Sequence, residues 1–457
     1  MNPTPLSNIS LGSGGTLLAP EAGAKLVHRV CTDSRSIQPG DLYVALRGEH
    51  FDGHAFVASA FASGAVAALV EQGYPEGPCI VVKDTLAGLQ TLASHHREEM
   101  PARRVVITGS NGKTSTKDMT ASVFSMHYRT MKTEGNLNNH IGLPLTLLAL
   151  NREIEAAILE IGMNHRGEIA ALADIAAPQI AIITNIGVAH IENLGSQEAI
   201  AAEKGDLAAA LPENGILILN AEDPFSLAIA KRTSSRVIFT GGDSGELRAI
   251  GAKTDGVRWT FDLEYKGERV TSELPVPGRH MLANALLAAG AGLAGGLELS
   301  ECAAGLAQVT LTKGRLTRRE VAGLVVLDDS YNANPDSMIA ALKTLQEYPC
   351  RGRRIAVLGR MGELGSHAEE GHRRVGREVA AVMPDLLVAL GGEGAWISLE
   401  AASRGIRTTN AGSLEEAADI VMKFAKPEDV LLIKASRSVG IERLLPMLEN
   451  WKMEATR

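Results

Sequence analysis

"VVITGSNGKTSTKDM", Val105 to Met119, is the stretch that decides the fold. An apolar run feeds a glycine-bearing turn that opens a helical pattern, the strand–turn–helix context a phosphate-binding loop requires. The full Walker spacing asks for Gly, four residues, then Gly-Lys-Ser/Thr. Counting back from Gly112-Lys113-Thr114 puts Ile107 where that first glycine should stand. A shorter loop opening at Gly109 satisfies the same chemistry. Its backbone N–H groups would face phosphate oxygens, and the helix N-terminus adds favourable partial charge. Lys113 would neutralise β/γ oxygens and the Thr114 hydroxyl would hold Mg2+.

Working outward, "AAILEIG", "IAIITNIG" and "GILILN" are further buried-strand runs separated by helical patterns, which argues for a largely parallel sheet. In "VRWTFDLEY", Val257, Trp259, Phe261, Leu263 and Tyr265 share one face, and Arg258, Thr260, Asp262 and Glu264 the other. That period of two predicts a half-buried antiparallel strand, with a turn at "KGE" and a helix from about Leu282 to Ala294. Before the loop, "LYVAL", "AALV" and "CIVV" alternate with helical stretches, and "EEMPARR" (98–104) reads as a linker. Near Arg315 the character resets, and "GLVVLDD", "RIAVLG", "DLLVAL" and "DVLLIK" again alternate with helices. The fold class is α/β in three domains. A small α/β cap covers 1–100, a central P-loop parallel-sheet domain with a short antiparallel segment covers 101–315, and a Rossmann-like open sheet covers 316–457.

Composition sets limits. A chain of 457 residues is too long for one core, so about two to four domains are expected. Hydrophobic residues at 45% and charged residues at 21% are ordinary for a soluble globular protein, and 47 glycines with only 4% aromatics suit an α/β enzyme with many strand-to-helix turns. The net charge of −8 and the lack of any Lys/Arg run give no footprint for nucleic acid. Four widely spaced cysteines, Cys31, Cys79, Cys302 and Cys350, point to a reducing compartment rather than a disulfide framework or zinc site. No signal peptide is read at the start, and no apolar run reaches membrane-spanning length, so a cytoplasmic protein with no membrane insertion is expected.

Three residues at strand ends or on the next helix carry chemistry. Glu160 is an acid inside the apolar "AILEIGMNH". An edge-strand surface position would explain it, but its apolar neighbours make unpaired burial costly. His190 follows a strand in "GVAHIENLGS"; by itself it reads as a capping or core histidine. Lys204, in "AIAAEKGDLAAAL", by itself reads as a solvated lysine. With the loop, Glu160 and His190 suggest a second cation site, where Lys204 as a cation fits poorly. "TEGNLNNHIGLP" packs Gly135, Asn136, Asn138 and Asn139 into one turn, and "DDSYNANPDSM" ends a strand and opens a helix, with Pro335 near its start and Asp336 and Ser337 in the capping region.

As a set, "TDSRSIQPGDLYVALRGEHFDGHAF", "TGSNGKTSTKDM", "GNLNNHIGLP", "AHIENLGS", "GRH…NAL", "DDSYNANPDSM" and "SRSVGIERLL" resemble the Mur ligase family of cell-wall synthetases over almost the whole chain. The match is best to the activity that joins D-alanyl-D-alanine to UDP-N-acetylmuramoyl-tripeptide; the Asp-Asn-Pro-Arg motif of the diaminopimelate-adding relative is absent. The family uses the shorter loop Gly-x-x-Gly-Lys-Ser/Thr, which Gly109 to Thr114 satisfies.

The resemblance implies that ATP phosphorylates a substrate carboxylate and that an amine attacks the acyl phosphate. It implies ATP contacts at Gly109, Ser110, Asn111, Gly112, Lys113, Thr114 and Ser115 in the loop. Asn284 would lie at adenine, Arg315 at phosphate and Asp329 at ribose, with Tyr331 and Asn332 nearby. Thr114 and Glu160 would hold one Mg2+, and Glu160 and His190 would serve a second. Lys204 matches the lysine the family carbamylates, which would resolve its misfit by turning a cation into an anion. Ser34 and Arg35 would face uridine, and Asn136, Asn138 and Asn139 the UDP-sugar side. Lys434, Ser436 and Arg437 would lie near the peptide cleft. Departures from the family pattern stand at Met281, Arg360 and Ala435.

A sister ligase such as a folylpolyglutamate synthase, a P-loop kinase and a non-catalytic nucleotide-binding regulator are the competing readings. A kinase has no use for His190 with Lys204, and a regulator has none for an intact Lys113, Thr114, Glu160 and His190. A monomer is expected.

Overall fold

The computed structural model describes residues 1–450. Among these the strands form three main sheets and a two-stranded ribbon. In the central sheet, Ala156–Glu160, Arg103–Thr108, Ile180–Ile183 and Ile216–Asn220 run parallel in that spatial order. Val105, Ile107 and Ile158 on one face and Val106, Leu159 and Leu217 on the other are all 0% exposed. Burial on both faces is why the runs are continuous rather than alternating. Thr130–Lys132 closes one side, while Arg236–Thr240 and Leu247–Thr254 extend the other. The strand order reverses at Arg103–Thr108, so the loop that follows it opens at the switch point of the sheet, where such folds place ligands.

The period-two segment forms the antiparallel strand Trp259–Tyr265 between Leu247–Thr254 and Glu268–Leu274. Trp259, Phe261 and Leu263 face the core as expected. Glu264, expected on the solvent face, is instead buried, because the guanidiniums of Arg248 and Arg269 from both flanking strands enclose its carboxylate. The expected turn falls at Lys266 and Gly267, with φ of 51° and 86°, the left-handed pair that a tight hairpin demands. The helix expected from Leu282 begins earlier, spanning Arg279–Ala294, with Gly278 as its N-cap.

In the N-terminal part, Asp41–Val44, Ala67–Val70 and Cys79–Val81 are the parallel centre of a five-stranded sheet. Asp84 caps the helix Thr85–Glu98 by accepting from Leu86 N and Ala87 N. Apolar residues of that helix share one core with those of Gly142–Leu148 and Glu168–Ala176. Met100 and Ala102 of the stretch read as a linker are buried in the same core, so it is a packed junction between helix end and strand start. The C-terminal sheet has six strands in the order Thr317–Val321, Leu324–Asp328, Val430–Lys434, Arg354–Gly359, Leu386–Leu390, Thr408–Ala411, all parallel except the first. Among the described residues, no helix is long and apolar enough to cross a membrane. The four cysteines are free thiols.

Candidate active site

The loop answers the missing glycine directly. Ile107 lies inside the strand Arg103–Thr108, fully buried, and the turn begins two residues later. Gly109 and Gly112 have φ of 149° and 78°, backbone that side chains rarely adopt. A Cβ on Gly112 would stand 2.6 Å from Asn284 Oδ1, so a larger residue there would have to displace the Asn284 side chain. Lys113 curls over the turn, its Nζ donating to Gly109 O at 2.8 Å. Burial holds the Lys113 ammonium below its usual range; Glu160 and Glu363 oppose that shift and Arg315 adds to it.

The loop faces a cavity of about 900 Å³ whose opposite wall comes from the C-terminal sheet. Of the residues singled out from sequence, Ser110, Asn111, Gly112, Lys113, Ser115, His190, Asn284, Arg315, Asp329, Asn332, Lys434, Ser436 and Arg437 line it. Each C-terminal contributor follows a parallel strand. Asp329 follows Leu324–Asp328, and Ser436 and Arg437 follow Val430–Lys434, whose last residue Lys434 is itself on the wall. Lys434 Nζ donates to Asp329 Oδ2 at 2.6 Å and to Asn332 O at 2.8 Å. Burial lowers the Lys434 ammonium pKa against the pull of Asp329. Arg315 Nη2 donates to Thr114 Oγ1 at 3.1 Å, and its guanidinium stacks 4.1 Å from the centre of the Tyr331 ring. Tyr331 itself stands off the cavity wall, as a platform for arginine.

Glu160 is 3% exposed, on an internal strand rather than an edge, which removes the surface explanation for it. Oε1 accepts from Asn138 Nδ2 at 2.9 Å, whereas Oε2 is buried with no partner. Asn138 is thus turned to Glu160, while Asn139 Oδ1 accepts from Gly142 N at 2.9 Å at the start of the next helix and Asn136 is exposed. Lys204, on the helix Gln197–Ala209, is 0% exposed and its Nζ has no partner. Burial first, then the Lys113 charge, pushes its pKa well below the usual lysine range, against the pull of Glu203. It is not a solvated lysine. His190, at φ 64°, places Nδ1 2.6 Å from Glu363 Oε2, a close contact without aligned hydrogen-bond geometry. Ser34 and Arg35 are remote from this cavity; they form a short turn in which Arg35 pairs with Asp33 at 2.8 Å.

Several residues of the site escaped the sequence reading. Asn334 Nδ2 donates to Asn111 Oδ1 at 2.7 Å, tying the loop to the C-terminal sheet. Asn334, rather than Asp336, caps the helix Pro335–Glu347, reciprocally with Ser337. Asp336 Oδ2 instead accepts from Val188 N at 3.3 Å. Glu363 reaches His190 from a loop with φ 61°, and His280 lines the wall with its pKa pushed down to about 4 by burial. Asn334 lies within a stretch already marked as unusual; nothing in the sequence singles out Glu363. Among the described residues, no three His, Cys, Asp or Glu side chains converge as a metal cage. Unpaired Glu160 Oε2 nevertheless suits a cation that takes few protein ligands and completes its shell from phosphate and water, whereas the Lys204 amine as it stands does not.

The fold and cavity define a P-loop α/β protein whose nucleotide site is completed by a second open sheet. Comparison with known families gives its relationship. Residues 26–97 match the Mur ligase family catalytic domain, 107–292 the Mur ligase middle domain and 314–437 the Mur ligase glutamate ligase domain. The chain is 37% identical to UDP-N-acetylmuramoyl-tripeptide--D-alanyl-D-alanine ligase of Bacillus subtilis (strain 168), over 96% of this chain and 97% of that one. A crystal structure of MurF from Acinetobacter baumannii superposes with a TM-score of 0.91 at 32% identity, covering 99% of this chain and 100% of that one. MurF ligase from Thermotoga maritima in complex with ADP gives 0.82 at 28%, covering 93% and 97%. The chain belongs to the Mur ligase family.

Proposed function

We propose that the chain is an ATP-dependent, ADP-forming ligase. It joins D-alanyl-D-alanine to UDP-N-acetylmuramoyl-tripeptide through an acyl phosphate, giving the UDP-muramoyl-pentapeptide precursor of peptidoglycan. One observation carries this reading: Lys113 of a complete short phosphate loop faces, across one cavity, the Asp329–Lys434 pair and Glu363 of another domain. A kinase needs only the first wall; a ligase needs a second from which an amine reaches the activated carboxylate.

The roles follow from charge. A carboxylate repels the γ-phosphate and is a poor electrophile until phosphorylated. Lys113 and Arg315 screen the phosphates, as preorganised cations in a water-poor site do. The backbone of Gly109 to Ser115 cradles them. Asn284 closes the base side, and Asp329, with Tyr331 and Asn332 beside it, closes the ribose side. The amine then attacks the acyl carbon and phosphate departs with the C–O electrons, while Ser436 and Arg437 border the approach. Two Mg2+ ions, held through Thr114, Glu160, His190 and Lys204, would supply further charge neutralisation to the transferring phosphoryl group.

Lys204 suits carbamylation. Burial lowers the pKa of its amine and leaves Nζ without a partner, so the neutral form can bond the carbon of CO2, lose a proton and become the anion that a cation site requires. On this reading residues 1–100 hold the UDP-sugar through Ser34 and Arg35. Residues 101–315 hold ATP, with Asn136, Asn138 and Asn139 toward the sugar, and 316–457 receive the dipeptide. One chain carries every group, so a cytoplasmic monomer suffices.

Incubation with ATP, Mg2+, the UDP-tripeptide and D-alanyl-D-alanine, omitting each in turn, tests the reading. Phosphate release and a new amide by mass are expected only in the complete mixture. Phosphate release without the amine and acyl substrates, or no amide product, defeats it.

A further inference from the structure

Asp118 lies one turn beyond Thr114 on the helix Lys113–Phe124, with its side chain 0% exposed. None of the phosphate chemistry above uses it. Its Oδ2 accepts from Thr312 N at 2.7 Å and from Thr312 Oγ1 at 2.8 Å. Its Oδ1 accepts from Lys132 Nζ at 2.6 Å and lies 3.6 Å from Lys117 Nζ, which donates to Thr133 O at 2.9 Å. A buried carboxylate is costly unless so fully engaged, and this one spends both contacts of one oxygen on a single distant residue.

Thr312 sits in the irregular segment between the helix Leu299–Ala307 and the strand Thr317–Val321, where the chain crosses from the central sheet to the C-terminal one. Three residues further on, Arg315 reaches Thr114 Oγ1. The segment is pinned again just after it, where Leu316 N donates to Asp329 Oδ1 at 3.2 Å. Gly314 and Leu316, either side of Arg315, have φ of 76° and 52°, so the backbone there is bent into a form that tertiary contacts must hold. Arg315 is therefore suspended between two aspartates, Asp118 in the central domain and Asp329 in the C-terminal one.

We infer that Asp118 is a positioning residue for phosphoryl transfer, which fixes Thr312 and through it the reach of Arg315 to Thr114 and the nucleotide phosphates. This rests on the ligase reading above. Asparagine at this position would keep the size but direct an amide N–H2 at either the Thr312 donors or the lysines, so the anchor needs a carboxylate. Lys132 and Lys117 hold that carboxylate in place from its other side.

The test is a double-mutant cycle on ATP. Thr312→Val removes one donor to Asp118, keeps the backbone N–H and leaves the buried charges paired. It should lower kcat/KM for ATP by about two- to tenfold, the range of one buried hydrogen bond, with KM for the two peptide substrates unchanged. Asp118→Asn should lower it further. Combined with Arg315→Ala, Thr312→Val should add nothing, because two residues acting through one contact are non-additive. The same cycle read as Kd for ADP by calorimetry does not depend on amide formation, so an inactive wild-type chain would defeat the ligase reading while leaving this measurement able to decide the inference. Wild-type ATP kinetics and ADP affinity in Thr312→Val, or losses that simply add to those of Arg315→Ala, overturn the inference. If Asp118→Asn does not fold, the Thr312→Val cycle decides alone.

Discussion

A Cβ built on Gly109 would stand 1.8 Å from Thr184 Oγ1, on a backbone with a φ of 149°. Thr184 cannot yield cheaply, because its Oγ1 donates to Asn111 O at 2.5 Å within the same loop. Gly109→Ala should therefore combine a clash with strained backbone, worth about 1–3 kcal/mol for the strain alone, and weaken ADP binding by at least about tenfold. Gly391→Ala is the matched control: its φ is 79° but nothing lies within 4 Å of the added carbon. Calorimetry with ADP on both variants checks this, and equal affinities would contradict it.

The loop was legible in sequence because its chemistry is local. Strand, glycines, lysine and helix follow one another, and only the closeness of Thr184 and Asn284 to the glycines needed coordinates. Glu160 was legible for the opposite reason: an acid among apolar residues is an anomaly that burial explains. Contacts between domains were not legible. Asn334 and Asn111 are 223 residues apart, and Glu363 sits in a loop where a glutamate is unremarked. Two outlying strands were missed too. Thr130–Lys132 and Leu247–Thr254 are mostly half-exposed, so they lack the continuous apolar run that marked the inner strands.

Lys204 has no hydrogen-bond partner at Nζ and no exposure, and the carbamate reading makes a direct forecast. Lys204→Ala should lose most of the ligase activity and regain part of it with acetate or formate, which restore a carboxylate to the vacated space. Incubating the wild-type protein with 13C-bicarbonate should give a carbamate carbon resonance that Lys204→Ala lacks. An unaffected Lys204→Ala rate, or identical spectra, would remove the carbamate.

His280 gives a pH dependence with a definite sign. Burial pushes its imidazole pKa down to about 4, with Asp329 opposing and Lys434 adding, against a reference of 6.5. Between those values the unfolded chain binds a proton that the folded chain does not, so stability is lost as pH falls. The contribution is fully present above 6.5 and exhausted near 4. Wild-type protein should therefore lose more of its Tm than His280→Asn on going from about pH 7 to about pH 5. Parallel curves for the two proteins would exclude the assignment.

The Asn334–Asn111 hydrogen bond joins the phosphate loop to the C-terminal sheet, so it should matter when the two walls work together. Alanine is a poor probe, because Asn334 Oδ1 also accepts from Ser337 N at 3.0 Å and caps its helix; losing a cap costs about 0.5–2 kcal/mol by itself. Serine keeps a cap acceptor and removes the amide that reaches Asn111. Asn334→Ser should hold the wild-type Tm and lower kcat/KM for ATP by about two- to tenfold, the range of one neutral hydrogen bond. Closing over ligand is a gating step in such two-walled sites, so small-angle scattering should show contraction with an ATP analogue in the wild type and less of it in the variant. If Asn334→Ser contracts and turns over like the wild type, the bond is packing rather than a latch, and closure must depend on Asp336 with Val188 or on Glu363 with His190 instead.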